Sequence, residues 1–176
     1  MRFRIFLVIA VLLSLSAAVK LAAAAHNSAH ADIVNAQGAK IGTAKLSDIG
    51  HGVKIEVKIS ELSPGEHGIH IHTVGKCEAP GFTSAGGHFN PTNTHHGAQS
   101  TLGPHPHLGD LLNLVADKKG NAKHSFIADG VTLGDGANSL FHEGGTALVV
   151  HAQRDDLRSD PAGDSGGRIA CGVIEK

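Results

Sequence analysis

The 176-residue sequence contains neither tryptophan nor tyrosine, and its only large aromatic residues are six phenylalanines. Nucleic-acid-binding surfaces rely on aromatic rings for base stacking and on clustered basic residues. Here the net charge is −1 and the basic residues are scattered along the chain. The composition therefore argues against nucleic acid as a partner.

Long hydrophobic runs are also absent, except at the N-terminus. Arg2 and Arg4 precede an apolar run over residues 5–19, and small residues follow, which is the order of a secretory signal peptide. A membrane span needs roughly 20 apolar residues, so this run is short for an anchor. We expect residues 1–25 to be a signal peptide, residues 26–176 to form one domain, and the protein to be exported, periplasmic or extracellular. An uncleaved N-terminal anchor is the alternative.

Cysteine is scarce, with only Cys77 and Cys171 in the chain. An exported protein meets an oxidising compartment, where paired cysteines form disulfides. We therefore predict a Cys77–Cys171 disulfide, and the alternative is a pair of free thiols in a metal site.

What the chain does contain is a repeated two-residue apolar period. Residues 52–59 (GVKIEVKI) alternate apolar side chains with Lys54, Glu56 and Lys58, a pattern typical of a half-buried strand. Similar short runs are separated by turn residues, including DKKG between two of them, and they cover residues 31–38, 40–47, 111–128, 146–152 and 168–174. The pattern predicts an all-β fold, an antiparallel Greek-key sandwich or flattened barrel of about eight strands.

Two segments do not fit this strand pattern, residues 73–110 and 152–167. The first is rich in glycine, proline, threonine and histidine. Long loops without secondary structure are uncommon in a compact domain unless they are functional or held in place. We expect both loops to be functional.

Histidine, with 14 occurrences, is the most informative residue type. Alternate residues of a strand point to the same face, so His70 and His72 in GIHIH can converge on one ion. An HxH pair alone is a weak signal, but further candidates follow in the long loop and at a later strand end: His88, His95, His96, His105, His107, Asp110 and His151. Imidazole suits both copper and zinc, and a carboxylate in a nitrogen site favours zinc.

Five segments in this order, GIHIHTVGKC, GGHFNP, HLGDL, VVHAQRDDL and GGRIACGVI, resemble the successive motifs of the copper–zinc superoxide dismutases, in a secreted, bacterial-like form. The resemblance runs from about residue 30 to residue 175. It implies a secreted oxidoreductase that uses copper and zinc to convert superoxide into oxygen and hydrogen peroxide. It is also compatible with a homodimer.

The resemblance assigns roles to individual residues. The implied copper ligands are His70, His72, His88 and His151. The implied zinc ligands are His88, His96, His107 and Asp110, with the ring of His88 shared between the two ions.

Three further residues have implied roles. Asp155 resembles the carboxylate that links the rings of His70 and His96, and Arg168 resembles the arginine that meets the anionic substrate. His88 also has an implied catalytic role, because it supplies a proton to the product. For Arg168, an ordinary surface ion pair is the alternative.

The remaining histidines of these segments receive other interpretations. His67 is expected to be a structural hydrogen-bonding residue, while His95 and His105 lack the spacing of the zinc ligands. If the signal peptide ends after residue 23, His26 becomes the third residue of the mature chain and could capture Cu(II). A disordered polar tail is the alternative interpretation of that segment.

The second loop departs from the family pattern. It contains no lysine and no threonine, and the nearest substitutes for substrate-steering residues are Arg154, Arg158 and Ser165. Two rival functions stay open at this point. One is a non-catalytic copper or zinc carrier on the same fold, and the other is a structural sandwich with a surface patch of histidines.

Overall fold

The computed structural model describes residues 28–176. The predicted signal peptide, residues 1–25, and His26 lie outside the described residues.

The described residues form nine strands and one short 3-10 turn at Thr83–Ala85, with no α-helix among them. The strands are β1 (Ser28–Asn35), β2 (Lys40–Asp48), β3 (Gly52–Ile59), β4 (Gly65–His67), β5 (Ile69–His72), β6 (Leu114–Ala116), β7 (Ala122–Asp129), β8 (Ala147–His151) and β9 (Arg168–Val173). The predicted all-β fold is confirmed. Within residues 28–176 there is no helix long and apolar enough to cross a membrane.

Seven strands form one antiparallel sheet in the order β5-β8-β9-β1-β2-β3-β7, and β4 pairs with β6 in a second small sheet. Strands β1, β2 and β3 follow one another as hairpins, whereas β5 lies beside β8, β9 beside β1 and β3 beside β7. This topology places the last strand, β9, beside the first described strand, β1, and places β5 and β8 side by side.

The DKKG segment joins β6 to β7. The DKKG turn forms, since the amide of Gly120 donates to the carbonyl of Asp117 at 2.9 Å. The amide of Asp117 also donates to the carbonyl of Asn121 at 2.8 Å, which closes the turn, and beyond it β6 pairs with β4 while β7 pairs with β3 along its whole length. The turn residues specified the reversal of the chain, but the choice of partner strand depended on the rest of the sheet.

Strand β3 shows why this sequence folds as a sheet. Its four apolar side chains, Val53, Ile55, Val57 and Ile59, are 0–4% exposed and lie in the main core. Lys54, Glu56 and Lys58 point outward. Burying a side chain of this size stabilises the fold by about 1.5–3 kcal/mol, so the alternating sequence determines which face of the strand points inward.

Strands β5 and β8 are buried on both faces. Ile69 and Ile71 enter the main core, together with Leu148 and Val150 of β8. Ala147 and Val149, on the other face of β8, form a second small cluster with Phe82, Ala85 and Cys171. A loop must therefore cover this outer face, and residues 73–113, hereafter the long loop, do so.

Two other long connections join the strands. Residues 152–167, hereafter the second loop, link β8 to β9 as expected. Residues 130–146 link β7 to β8, and the sequence pattern did not single out this connection.

Candidate metal centre

The paired strands β5 and β8 position three histidines. In their register His70 lies opposite Val149 and His72 opposite Ala147. Because the isoleucines of β5 face the core, both histidines face outward under the long loop. His151 ends β8 on the same side, and all three side chains are at most 3% exposed.

The long loop places His88 next to these strands through backbone hydrogen bonds. The amide of Phe89 donates to the carbonyl of Ile71 at 2.8 Å, and the amide of Ile71 donates to the carbonyl of Gly109 at 2.8 Å. Gly109 approaches so closely that any side chain there would collide with the carbonyl of Ile71. His88 and Asp110, which flank these anchoring residues, are thereby held beside His72 and His70 respectively.

One cluster contains four histidines, His70, His72, His88 and His151, whose donor atoms all lie within 4.8 Å of one another. Nδ1 of His72 donates to the carbonyl of Gly86 at 2.9 Å, and Nδ1 of His151 donates to the carbonyl of Gly166 at 3.2 Å. Their Nε2 atoms therefore face each other across 3.4 Å.

The other two rings complete this cluster. Nε2 of His70 is engaged by Asp155, and Nδ1 of His88 is engaged by Asp110. The remaining atoms, Nδ1 of His70 and Nε2 of His88, are buried without any hydrogen-bond partner. Leaving a buried polar atom unpaired costs free energy, so these atoms have the character of ligands that face an ion.

The second cluster gathers three rings around one carboxylate. Oδ1 of Asp110 lies 2.8 Å from Nδ1 of His88, 3.0 Å from Nδ1 of His96 and 3.2 Å from Nδ1 of His107. The His96 atom has the distance of a hydrogen bond to the carboxylate but not the alignment, and it counts as a buried atom without a partner. Three nitrogens gathered around one carboxylate oxygen form a donor set that one shared cation would organise.

Both donor sets fit the metals that the sequence suggested. Nitrogen ligands bind zinc tetrahedrally at about 2.0–2.1 Å, which sets the donors about 3.4 Å apart, and the donor atoms of each cluster all lie within 4.8 Å of one another. The four-nitrogen set suits a redox-active ion such as copper, and the set with a carboxylate suits zinc. His88 belongs to both sets through its two different ring nitrogens.

Asp155 connects the two clusters, because it accepts a hydrogen bond from one histidine of each. Its Oδ2 accepts a hydrogen bond from Nε2 of His70 at 2.7 Å, and its Oδ1 accepts one from Nε2 of His96 at 3.1 Å. Such carboxylates fix the orientation and tautomer of metal-binding imidazoles. Asp155 is itself fixed by Asn113, whose side-chain amide donates to the Asp155 carbonyl and accepts from the Asp155 amide.

The electrostatics of the two clusters differ. Burial lowers the pKa of His72 to about 2, with neighbouring His88 adding to the effect, and burial lowers the pKa of His151 to about 3. Burial also lowers the pKa of His88 to about 4, against the opposing influence of Asp110. For His96 the carboxylates of Asp110 and Asp155, both close to its ring, outweigh burial and raise its pKa to about 9.

Arg168 begins β9 directly opposite His151. Its guanidinium donates to the carbonyl of Phe82 at 2.7 Å and to the carbonyl of Gly86 at 2.6 Å. Gly86 therefore accepts hydrogen bonds from both Arg168 and His72. The arrangement holds a fixed positive charge close to the four-histidine cluster.

The predicted disulfide between Cys77 and Cys171 is confirmed, with Cα atoms 5.6 Å apart and a sequence separation of 94 residues. Cys171 is fully buried in the second core cluster beside Phe82. The bond thus attaches the start of the long loop to the strand that carries Arg168.

The other histidines lie outside both clusters. His67 is buried, and its ring nitrogens lie 2.8 Å from the carbonyls of His151 and Ser63, so it links β4 to the end of β8. His95 bonds Asp160 near the surface at 2.6 Å, and His105 is exposed.

The three candidate steering residues of the second loop are each engaged by other groups of the protein. Ser165 is 1% exposed and donates to the carbonyl of Ala162, so it cannot meet substrate. Arg154 pairs with Glu66 at 3.0 Å, and Arg158 bonds Gln99.

Sequence reasoning missed several supporting groups. The carbonyls of Phe82 and Gly86 and the side chain of Asn113 all position site residues. Backbone carbonyls leave no signature in a sequence. Asn113 had one weak signal, since it is a polar residue in the apolar run LLNLVA.

Comparison with known proteins agrees with this geometry. The family model described as copper/zinc superoxide dismutase (SODC) matches residues 40–174. The Aquifex aeolicus protein named superoxide dismutase (Cu-Zn) 1 is 51% identical over 148 residues, which cover 83% of this chain and 86% of that protein.

Solved structures show the same likeness. A SOD-like protein from Bacillus subtilis superposes with a TM-score of 0.78 at 35% identity, covering 82% of this chain and 96% of that one. The Cu/Zn superoxide dismutase from Brucella abortus superposes with a TM-score of 0.67 at 31% identity, covering 85% and 100%. From its matched residues, its strand order and its paired histidine clusters, the chain belongs to the copper/zinc superoxide dismutase family.

Proposed function

We propose that this protein converts two superoxide anions and two protons into one oxygen and one hydrogen peroxide. Copper would be held by His70, His72, His88 and His151, and zinc by His88, His96, His107 and Asp110. The observation that carries the proposal is the shared ring of His88, whose two nitrogens face two different donor sets.

Copper held there would supply one-electron reduction and oxidation, while zinc would have no redox chemistry and would fix the loop. Arg168 attracts and orients the anionic substrate with a rigid, permanently charged guanidinium, a task for which a flexible lysine is a poor replacement. Nε2 of His88 is the atom at which a proton is held for delivery to the product. Asp155 keeps the rings of His70 and His96 in the orientation that the clusters need.

The disulfide supports export, because such bonds persist in oxidising compartments. We propose that residues 1–25 are a signal peptide and that residues 26–176 form the mature domain in the periplasm or outside the cell. N-terminal sequencing of the exported protein tests this assignment. A homodimer stays a prediction of the family resemblance, which analytical ultracentrifugation tests.

The function is tested by a dismutation assay together with metal analysis. His151→Ala should lose at least 100-fold in activity and lose copper, because one of four donors is removed from a buried site. His105→Ala is the matched control, since it removes an exposed histidine of the long loop outside both clusters, and it should keep wild-type activity and metal content.

Two outcomes would contradict the proposal. Activity that survives in His151→Ala protein without copper would exclude copper as the redox centre. A wild-type protein that holds both metals but does not turn over superoxide would instead favour the non-catalytic carrier.

A further inference from the structure

The outer face of β2, β3 and β7 collects lysines that are far apart in the sequence. Lys45 lies on β2, Lys54 and Lys58 lie on β3, and Lys123 lies on β7. We call these four residues the lysine face. None of the cluster histidines belongs to these strands.

The strand register brings like charges directly opposite one another. Lys58 pairs with Lys123 across β3 and β7. Like charges in that position destabilise a sheet, and within residues 28–176 no carboxylate lies within 4.0 Å of either ammonium group. The repulsion between the two ammonium groups destabilises the fold, and an external anion bound between them would offset that repulsion.

Two acidic residues share this face, Glu56 on β3 and Asp129 at the end of β7, and they do not neutralise its four lysines. Glu56 bonds Lys54 at 3.0 Å, so it compensates one lysine only. The hydrogen bond from Lys54, with the charges of Lys45 and Lys123 beyond it, holds the pKa of the Glu56 carboxyl below its usual value. The carboxyl therefore lies in a positive field, and the face keeps a net positive charge.

A groove of about 430 Å³ runs along this face. Lys45, Lys58 and Lys123 line it together with the carboxylate of Glu56, and Thr43 and Ser125 add hydroxyl groups. The site thus combines separated cationic ends with neutral hydrogen-bonding groups in a concave surface.

These features favour a sugar polymer over other polyanions. Binding to single-stranded nucleic acid uses exposed aromatic rings, and bidentate phosphate recognition favours arginine. The groove is lined by neither arginine nor phenylalanine. A membrane surface would meet a flat or convex face, whereas this surface is a groove. Lysines act as separate point charges, which suits carboxylates or sulfates spaced along a hydroxyl-rich chain.

We propose that the lysine face is a binding site for an acidic polysaccharide, and that it retains the protein at carbohydrate surfaces without taking part in dismutation. Lys58 and Lys123 contact the acidic groups, and Thr43 and Ser125 hydrogen-bond the sugar hydroxyls.

The test uses the metal-loaded protein and fluorescently labelled polygalacturonate and heparin, with neutral dextran as the uncharged probe. Lys58→Gln/Lys123→Gln should weaken binding of an acidic probe at least tenfold at 0.15 M salt and flatten its salt dependence, because fewer counterions are released on binding. Lys118→Gln/Lys119→Gln is the matched control. It removes the same charge from the exposed turn before β7, and it should change affinity less than twofold. The carboxylated and sulfated probes distinguish which acidic group is preferred.

Several results would overturn the proposal. Equal weakening by the two double variants would indicate a response to net charge alone. Binding to a single-stranded oligonucleotide or to anionic phosphatidylglycerol vesicles that is tighter than to both acidic polysaccharides would assign the face to another partner. A drop in dismutation rate at low salt in Lys58→Gln/Lys123→Gln protein, without loss of polysaccharide binding, would make the face a steering surface for superoxide.

Discussion

The two candidate metal clusters share one ring yet are built differently. The four-histidine cluster takes three of its members from paired strands, His70 and His72 on β5 and His151 on β8. The cluster around Asp110 takes all of its members from the long loop. One cluster is therefore organised by the sheet, and the other depends on how the loop is held.

The two clusters also differ in charge. The strand cluster contains no carboxylate, and burial keeps His72 and His151 neutral, with pKa values of about 2 and about 3. The loop cluster surrounds Asp110, and its His96 has a pKa of about 9. Metals bind neutral imidazole, so the strand cluster is ready to bind at neutral pH, whereas the loop cluster has to release a proton from His96. Four predictions test this contrast.

Removing the disulfide should have the largest effect. Cys77→Ser/Cys171→Ser opens a link across 94 residues, and for a loop of that length the chain-entropy model gives about 4–5 kcal/mol. Because the bond anchors the start of the long loop, zinc should be lost more readily than copper. Chemical denaturation and metal analysis measure both effects. A protein without the bond that keeps both metals as firmly as wild type would contradict the coupling.

Asp110→Asn should separate the clusters. It removes the charge around which three rings gather, so we expect zinc affinity to fall by more than about 100-fold, beyond the effect of losing a supporting residue. Copper affinity should change by less than about tenfold, because three of its four ligands lie on strands. Competition with chelators measures both affinities, and Asp129→Asn, an exposed aspartate on β7, is the control. Equal loss of the two metals would show that the sheet does not hold its cluster independently.

Asp155→Asn should affect both clusters together. The amide has only one oxygen to accept from His70 and His96, so one ring loses its orienting partner. We expect a loss of about 10–100-fold in metal affinity or activity. Spectra of the Cu(II) protein would report the change at the ring of His70. An unchanged spectrum with unchanged activity would show that Asp155 does not orient the rings of His70 and His96.

Acid pH should destabilise the metal-free protein, and the contribution of each single histidine should be the smallest of the four predicted effects. The pKa values of His72, His88 and His151 are lower in the folded state, at about 2, 4 and 3, than the ordinary 6.5. Below pH 6.5 the unfolded chain takes up protons that the folded chain does not, so stability falls as the pH falls, by up to about 1.4 kcal/mol per pH unit for each group.

His96 titrates in the opposite direction. Its raised pKa of about 9 gives stability that is fully present below pH 6.5 and lost as the pH rises through 9. Urea unfolding at pH 6.5 and pH 5.5 measures mainly the acid effect, because each of the three rings loses about 1 kcal/mol over that range whereas His96 gains only about 0.4 kcal/mol. Equal free energies of unfolding at the two values would mean that the three rings are not held neutral.

Much of this molecule could be predicted from the sequence, and β3 and β5 show why. Alternation of polar and apolar residues has a direct structural meaning in a strand, so GVKIEVKI specified its own buried face. Similarly, the spacing of His70 and His72 placed both rings on one side. Even the disulfide followed from having two cysteines in a chain with a predicted signal peptide.

Other features were not accessible in this way. The DKKG turn formed, yet β6 chose β4 as its partner, because strand pairing depends on segments remote in sequence. Ser165, a candidate for steering substrate, is buried. The lysines that looked scattered meet on one face because β2, β3 and β7 are adjacent.

The sequence by itself determined the period-two strands, the set of metal-binding residue types and the pairing of its two cysteines, because each depends on local chemistry or on simple counting. Only the tertiary structure decided which nitrogen of His88 faces which cluster, that Gly86 serves both His72 and Arg168, and that Lys58 lies opposite Lys123. Those relations join groups from separate strands and loops, and their geometry exists only once the sheet has closed and the long loop has been fastened to it.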